Sequence, residues 1–424
     1  MKDKTKTLLT GEIQVTPFDP IFAELDHMMF LSKNLYNVCI YTQRQFFFDK
    51  RDCKDPVLKS KMKGFISNFE LSKKLQDENN PDYRALPAAV SQQVCKQACL
   101  NYMSFFSLHK KGLKARIPKY LHKTEGRNRL SFAKNAISMS KLKSGIIKLT
   151  GIKHEFKLPD YIDPESVQQI DIVKNQNRTI KVLIAYAIPK VPLKEDNGRI
   201  LGVDLGVNNL MSVVSNTNDF KPVIYDGKFL KSVNRFCNKR VAKLKSLTKN
   251  EITEKICSTL RNRMNKVNDY LHLCSSDLIN QAVSNGFNTI IIGKNDNWKQ
   301  EVNLGRKNNQ NFVSIPFNSL ISKIKYKAEL KGIKVIETEE SYTSKCSFFD
   351  DEFPCKQETY KGERIHRGLF KSSLGLINAD LNGALNIIKK IYKDFSYQTS
   401  NLSIDFFKTV VKVDPKFTHG KGRV

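Results

Sequence analysis

The sequence predicts a multidomain protein of mixed β and α/β class, in which a β-rich module with a helical insert precedes an α/β domain. Three observations lead to this prediction. A length of 424 residues suits two or three domains. A hydrophobic fraction of 40%, with 10% aromatic residues, is sufficient for packed cores. The spacing of apolar residues changes from strand-like to helical, back to strand-like, and then to alternating strands and helices.

The first half of the chain predicts the β module and its insert. The predicted elements are, in order, a strand over residues 5–16, helices over 21–48 and 88–106, and strands over 146–149 and 167–188. A turn over 175–178 divides the last of these strands in two. Because strand patterns lie on both sides of the helices, we predict one β module over 1–16 and 108–195, interrupted by a helical insert over 17–107.

The second half predicts the α/β domain. Pro189, Pro192 and the polar segment 194–198 indicate a domain boundary. The predicted elements that follow are strands over 200–204, 210–215 and 222–225, a basic helical region over about 228–284, a strand over 289–292, a helix over 315–330, a strand over 333–337 and a last helix over 377–392. Ribonuclease H-like folds have this order of elements. This order favours, but does not by itself define, such a domain over 198–392, which is followed by a basic tail over 393–424.

The charge of the chain indicates a polyanionic partner. Lys and Arg number 71 against 42 Asp and Glu, which gives a net charge of +29 at pH 7. This excess makes nucleic acid the leading candidate. No window reaches the ~18 apolar residues of a membrane span and no apolar segment follows the basic N-terminus, so we expect a cytoplasmic protein without membrane association. Nine cysteines, an odd and scattered set, argue against a secreted disulfide scaffold.

A basic segment over 110–129 is a candidate nucleic-acid groove. Its eight cations are opposed by a single acid, Glu125, and are interleaved with Ile117, Tyr120 and Leu121. Such interleaving is typical of a groove that binds nucleic acid, whereas a charge run alone is usually a solvated face. The candidate residues are Lys110, Lys111, Lys114, Arg116, Lys119, Lys123, Arg127 and Arg129. The basic helices of 228–270 are expected to line a channel for the same partner.

Two carboxylates stand at the ends of predicted elements. Asp204 ends the first strand of the α/β domain, and Gly206 allows a tight turn after it. Asp380 begins the last helix, where small neighbours allow close packing against a sheet. Two Mg²⁺ ions ~3.5–4 Å apart need carboxylates from separate rigid elements. The pair therefore predicts a two-metal phosphodiesterase site.

The chain resembles the TnpB family, the RNA-guided DNA nucleases of small insertion sequences, which are related to type V CRISPR effectors and often labelled transposases. The resemblance rests on GVDLG over 202–206, on the distinctive SYTSKCS over 341–347 and on NADLNGA over 378–384, and it covers nearly the whole chain. It implies a β-barrel wedge module, a helical recognition insert and a RuvC-like nuclease domain. It also implies a guide RNA encoded near the element, a double-stranded DNA target, two Mg²⁺ ions, a prokaryotic nucleoid-associated location and one or two chains per RNA.

The resemblance is incomplete at the middle catalytic position. The family carries a glutamate after the fourth strand, where this chain has Gly293. Because the fifth strand lies beside the fourth in a ribonuclease H-like sheet, an acid at its end can reach the same site. We therefore predict Asp204, Glu340 and Asp380 as catalytic metal ligands, with Glu339 as the substitute for Glu340. The alternative is a nuclease-inactive, RNA-guided DNA-binding protein that acts as a repressor. A strand-transferring transposase is less favoured, because no Tyr or His-pair nucleophile motif is present.

A subset of the family shares the sequence around Gly293. The shared pattern consists of Gly293, Asn295, Trp298, Lys299 and Gln300. Trp298, the only tryptophan, either stacks on a base or fills a core. Because Lys299 stands beside it, we predict that Trp298 and Lys299 contact RNA or DNA.

The family's zinc ribbon is degenerate here, in the segment 341–375. Cys346 remains, but Phe349, Lys371 and Leu374 stand where three more cysteines are expected. One ligand in four cannot hold a structural Zn²⁺, so zinc is not expected. We predict a small metal-free lobe in which apolar burial replaces the metal. The residues predicted to supply that burial are Phe348, Phe349, Phe370 and Leu374.

Overall fold

The computed structural model describes residues 5–175, 178–248, 251–294, 315–366 and 368–415. The chain divides into two compact units, Met1–Lys190 and Val191–Val424. Within the described residues, the first unit has one hydrophobic core and the second has two. The described helices include none that is long and apolar enough to cross a membrane.

The first unit combines a sheet with a set of helices. Its elements are β1 (Lys6–Val15), α1 (Phe22–Asp52), α2 (Pro56–Lys61), α3 (Asn68–Asp77), α4 (Pro81–Arg84), α5 (Ala88–Lys110), β2 (Leu130–Ala133), α6 (Met139–Lys143), β3 (Ile146–Ile147), β4 (Phe156–Lys157), β5 (Val167–Lys174) and β6 (Ile180–Pro189). Local signals set where the short helices begin. The Asp55 side chain caps α2, which has Pro56 at its first position, and Ser67 forms a capping box with Glu70 at the start of α3.

Four strands of this unit form an antiparallel sheet in the order β1-β6-β5-β2. β1 pairs with β6 along its whole length. Alternate residues of β6, namely Ile180, Val182 and Ile184, are fully buried, and they share one core with α1 and α5. Among the described strands, β1 and β2 are the edge strands of this sheet. The predicted β-barrel stays a prediction.

The second unit alternates strands and helices. Its elements are β7 (Ile200–Leu205), β8 (Asn209–Ser215), β9 (Val223–Asp226), α7 (Lys228–Leu247), α8 (Glu254–Ser284), β10 (Thr289–Lys294), α9 (Phe317–Glu329), β11 (Lys334–Glu339), β12 (Glu363–His366), β13 (Leu369–Ser372), β14 (Gly375–Asn378), α10 (Ala379–Ile391) and β15 (Val411–Val413). The basic helical region predicted over 228–284 consists of two helices, α7 and α8.

A six-stranded sheet organises this unit. Its order is β11-β10-β7-β8-β9-β15. β7, β8 and β9 are antiparallel neighbours, whereas β10 runs parallel to β7 and β11 runs parallel to β10. The carboxyl ends of β7, β10 and β11 therefore lie at the same edge of the sheet.

Helices cover both faces of this sheet, which explains why β7 is almost entirely apolar. Leu201, Val203 and Leu205 point into the core that contains α8 and α9. The even-numbered residues of β7 point towards α10. This helix packs closely against the strand because Gly202 has no side chain. A Cβ atom on Gly202 would lie 2.5 Å from the carbonyl oxygen of Ala384 in α10.

Two predicted boundaries are wrong. The last helix begins at Ala379 rather than at 377, because Ile377 and Asn378 pair with β13 as part of β14 and the Asn378 side chain caps the helix. The segment predicted as a basic tail is in part a sheet element, because β15 pairs in parallel with β9. Apolar residues in this segment, among them Phe407, are also buried.

Candidate carboxylate site

The three predicted carboxylates come from three elements that meet at one edge of the second unit's sheet. Asp204 is the fifth residue of β7, and Asp380 lies in the first turn of α10. Glu340 directly follows β11. Their elements reach this edge because β7 and β11 flank β10 in parallel and α10 packs across β7.

Asp204 shares an electrostatic environment with the other two carboxylates. Burial raises the pKa of Asp204 well above its usual value, and the negative charges of Asp380 and Glu340 raise it further. Arg364 acts in the opposite direction. The side chain faces α10, where a Cβ atom on Gly383 would lie 3.5 Å from Asp204 Oδ2. A buried carboxylate beside two like charges is an arrangement that a cation would stabilise.

Glu340 lies beside the residue that lacks the family's glutamate. A Cβ atom built on Gly293 would lie 3.3 Å from Glu340 Oε2. The same atom would lie only 2.4 Å from Cδ1 of Ile387, so position 293 has no room for a side chain unless Ile387 shifts. The structure therefore brings the Glu340 carboxylate to the space next to Gly293.

Glu339 is engaged elsewhere. Its carboxylate accepts hydrogen bonds from the Ser341 backbone N–H (2.8 Å) and from Lys390 Nζ (2.9 Å), and its side chain is 57% exposed. Partial burial raises the pKa of Glu339, but the hydrogen bonds from Ser341 and Lys390 outweigh it and the net shift is downward. Of the two adjacent glutamates, only Glu340 contributes to the field at Asp204.

Two further side chains hold Asp380, and the sequence did not point to either. Asn209, the first residue of β8, donates from Nδ2 to Asp380 Oδ2 at 2.7 Å. Arg364, in β12, places Nη2 3.4 Å from Asp380 Oδ1. The sequence signal that could have indicated Asn209 is its position five residues after Asp204, beyond a glycine turn. Arg364 lies in the degenerate ribbon segment and had none.

The donor set suits Mg²⁺ in its chemistry, because carboxylate oxygens from rigid elements are the ligands this ion prefers. In the ranges that the structure describes, no group of three or more His, Cys, Asp or Glu side chains is arranged to hold a metal ion. Of the residues at this edge, Asp204, Glu340 and Asp380 are the ones that would hold the ion.

The predicted nucleic-acid residues of 110–129 divide into two groups. Seven of the eight cations are exposed, whereas Arg127 is half-buried and pairs with Asp26 at 2.7 Å. Of the three interleaved residues, Ile117 and Leu121 pack against the core of the first unit, whereas Tyr120 is 44% exposed. The segment is fastened to α1, where Asn37 and the backbone of Leu121 exchange two hydrogen bonds. Trp298 and Lys299 lie outside the described residues.

The degenerate ribbon segment is held by carboxylates as well as by apolar burial. Phe348, Phe349 and Phe370 are buried as predicted, but the prediction for Leu374 is wrong, because this residue is 46% exposed at the turn between β13 and β14. Cys346 is buried, and its Sγ lies 3.5 Å from the carbonyl oxygen of Cys355.

Three consecutive acids connect this segment to its surroundings, and we call Asp350, Asp351 and Glu352 the carboxylate clasp. Glu352, which is buried, accepts from the backbone N–H groups of Ser347 (2.6 Å) and Lys361 (2.7 Å). Asp350 accepts from Ser373 N (3.1 Å), and Asp351 accepts from Tyr397 N (2.6 Å). The clasp thus links four backbone segments.

Comparisons with known proteins identify two similar domains and a similar fold. Residues 183–299 match the family model OrfB_IS605, described as a probable transposase, and residues 317–387 match the Cas12f1-like TNB domain. A solved structure with a similar fold is the Cas12f1–sgRNA–target DNA complex, with a TM-score of 0.50, 14% identity and coverage of 86% of this chain and 82% of that one. The chain thus has the mixed α/β, multidomain fold of a Cas12 effector.

A curated relative is similar to about half of the chain. The TnpB-like protein ORF457 of Acidianus two-tailed virus is 30% identical over 234 residues, which cover 52% of this chain and 45% of that protein. The match therefore spans less than half the length of that relative. With the two domain matches, it supports the TnpB family that the sequence predicted.

Proposed function

We propose that this protein is an RNA-guided DNA endonuclease of a transposable element, with Asp204, Glu340 and Asp380 as the metal-binding carboxylates. The observation that carries the proposal is the position of Glu340, whose Oε2 lies 3.3 Å from where a side chain on Gly293 would begin. The neighbouring strand thus supplies a carboxylate where the family's usual one is missing.

The sheet supports a ribonuclease H-like, RuvC-type nuclease domain. Three antiparallel strands followed by two parallel strands on the side of the first, in the order β11-β10-β7-β8-β9, are the arrangement expected of such a domain. The carboxylates lie at the carboxyl ends of β7 and β11, the edge at which open α/β sheets place their sites.

The residues of the chain would each have a definite part in the reaction. Asp204, Glu340 and Asp380 would hold two Mg²⁺ ions, which when bound supply an activated water and stabilise the leaving oxygen. Asn209 keeps the Asp380 carboxylate oriented by its hydrogen bond. Arg364 offsets part of the negative charge of Asp204 and Asp380 and would attract a phosphate.

We also propose the division of labour that the family implies. The proposed parts are a wedge module over 1–16 and 108–195, a recognition insert over 17–107, and a RuvC-like domain over 198–392 with the ribbon remnant over 341–375, to whose sheet β15 adds a strand. The partners are a guide RNA encoded near the element and a double-stranded DNA target, with one or two chains per RNA. The exposed cations of 110–129 support these partners.

A second function has one observation in its favour. Asp380 already pairs with an internal cation, Arg364, and no ready-made metal cluster is present among the described residues. A protein in which this pairing is permanent would bind DNA through its RNA without cutting it, and would act as a repressor.

A cleavage assay separates the two functions. RNA that co-purifies with the protein would be sequenced, a matching DNA target built, and cleavage measured with Mg²⁺ for the wild type, Asp204→Ala, Glu340→Ala and the matched control Glu339→Ala. We expect cleavage by the wild type and the control only. Guide-dependent binding without cleavage by the wild type would favour the repressor. Cleavage that survives Glu340→Ala but not Glu339→Ala would assign the ligand to Glu339.

A further inference from the structure

A cavity in the first unit combines aromatic rings with positive charge. Its volume is about 630 Å³, and the end of α1, the segment 59–65 and α5 form its walls. Its rings and cations are Phe47, Phe65, Phe106, Lys50, Arg51, Lys59, Lys61 and Lys63. Among the described residues that line it there is no Asp or Glu. The cavity is distinct from the carboxylate site, which lies wholly in the second unit.

The three rings form a rigid floor. Each is half-buried and packs against the core of the first unit. The centroid of Phe106 lies 6.0 Å from that of Phe47 and 6.1 Å from that of Phe65. Because this packing already restricts the rings, a flat ligand that stacks on them loses its own conformational entropy, and the rings lose little of theirs.

The cations around this floor are only partly neutralised. Arg51 pairs with Asp52, and Lys63 pairs with Glu70. Lys59 donates to the carbonyl oxygen of Arg51 at 2.9 Å, which brings its ammonium group back over the end of α1. Within the described residues Lys50 and Lys61 have no carboxylate within ion-pair distance. The rim therefore retains positive charge that attracts anions.

We propose that this cavity binds one unpaired nucleotide of a single-stranded nucleic acid, with the base on the phenylalanine rings and the flanking phosphates on Lys50, Lys59 and Lys61. A cavity of 630 Å³ can enclose a group of nucleotide size. Stacking on aromatic rings and contact of the phosphates with cations is how proteins hold single strands. The proposal rests on the proposed function only in taking nucleic acid as the partner.

Other polyanions fit the cavity less well. A duplex keeps its bases stacked inside and would contact the lysines but not the rings. An acidic peptide would use the cations but has no flat group for the aromatic floor. The combination of floor and rim therefore favours an extruded or single-stranded base.

A binding experiment on the full-length protein tests the floor. The probes are a fluorescein-labelled oligouridine of about twelve nucleotides and a duplex of equal length, followed by anisotropy. Phe65→Ala, and Phe65→Leu, which keeps apolar volume without the ring, are each expected to weaken single-strand binding about tenfold and to leave duplex binding unchanged. The matched control is Phe69→Ala, since Phe69 is 80% exposed near the start of α3 and does not line the cavity.

Cross-linking tests the same proposal by location. An oligouridine containing 5-iodouridine is expected to cross-link to peptides that carry Phe47, Phe65 or Phe106. Lys61→Glu is expected to lower the yield, whereas Lys54→Glu, an exposed residue outside the cavity, is not.

Three results would overturn the assignment: equal single-strand affinity of Phe65→Ala and Phe69→Ala, an equal loss on the duplex probe, or cross-links confined to other parts of the chain. If the wild type cleaves its target but shows one of these results, the cavity proposal fails and the nuclease proposal stands. If the wild type binds neither probe and carries no RNA, both fail.

Discussion

Two regions of the second unit depart from the family pattern, and they compensate for their losses differently. At Gly293 a carboxylate is missing, and another carboxylate, Glu340, lies beside the gap. In the ribbon segment three cysteines are missing, and the carboxylate clasp with three buried phenylalanines holds the lobe. In the first region one carboxylate stands in for another. In the second region, hydrogen bonds and apolar burial take the place of the family's cysteine-bound zinc.

The difference reflects what each site has to do. A catalytic metal site needs oxygen donors at defined positions, because nothing else holds Mg²⁺ where phosphodiester chemistry takes place. A structural zinc ion only has to fasten chain segments together. Hydrogen bonds that the Glu352 carboxylate accepts from two backbone N–H groups, together with the neighbouring apolar burial, can perform that task. Loss of a structural ligand is therefore easier to repair than loss of a catalytic one.

Moving the glutamate back to its usual strand tests the first region and has the largest expected effect. Glu340→Ala is expected to reduce cleavage about a hundredfold or more. Adding Gly293→Glu with Ile387→Val, which removes the Cδ1 atom 2.4 Å from a Cβ at 293, is expected to restore part of the rate. Guide-dependent DNA binding serves as the control and should stay constant. If the triple variant is no faster than Glu340→Ala, the two positions do not serve one site.

Breaking the clasp tests the second region. Glu352→Ala leaves the buried N–H of Ser347 and the partly buried N–H of Lys361 without an acceptor, and is expected to cost about 1–3 kcal/mol in the free energy of unfolding. Asp405→Ala is the matched control, because Asp405 is 76% exposed and pairs only locally with Lys408. Thermal and denaturant unfolding measure both. A zinc chelator is expected to leave the unfolding midpoint of the wild type unchanged, and a large downward shift would show that metal, not the clasp, holds the lobe.

Removing the hydrogen bond that orients Asp380 tests how far the first region depends on the residues around its carboxylates. Asn209→Ala removes the 2.7 Å hydrogen bond to Asp380, and we expect about a tenfold rise in the Mg²⁺ concentration at half-maximal cleavage. If Asn209 had only a structural role, Asn209→Ala would lower the free energy of unfolding and leave the Mg²⁺ dependence of cleavage unaltered. Asn208→Ala, at the preceding position, whose side chain accepts from Lys231 instead, is the control.

The smallest expected effect concerns the apolar part of the lobe. Leu374→Ser is expected to change the free energy of unfolding by less than about 0.5 kcal/mol, because the side chain is 46% exposed. Phe349→Ala, which removes a ring 3% exposed, is expected to cost about 3 kcal/mol or more. Equal losses would mean that Leu374 is buried in solution.

Much of the second unit was predictable from the sequence. The apolar runs of β7 and β10 give buried strands, and the small residues around Asp380 give a helix that packs close to the sheet. Glu340 was predicted because parallel neighbouring strands end at one edge. Asn209 and Arg364 were missed, because their contacts with Asp380 span 171 and 16 positions and follow no helix or strand periodicity.

The errors have a common physical origin. Leu374 is an apolar residue within an irregular segment, where no periodicity tells the buried side from the exposed one. The strand residues Ile377 and Asn378 were assigned to α10 because their pairing partners in β13 could not be inferred from spacing alone. The clasp was not predicted, because acids in a turn ordinarily indicate solvent exposure.

The pairing of β15 with β9 bears on any attempt to shorten this protein. Residues 411–413 cover a strand whose backbone N–H and C=O groups would otherwise face solvent at the border of the sheet. A shortened chain that ends before 411 exposes that border, and unprotected strand borders recruit other chains. A minimal version should therefore retain the chain through Val413, or place a lysine or proline on β9, if it is to stay monodisperse.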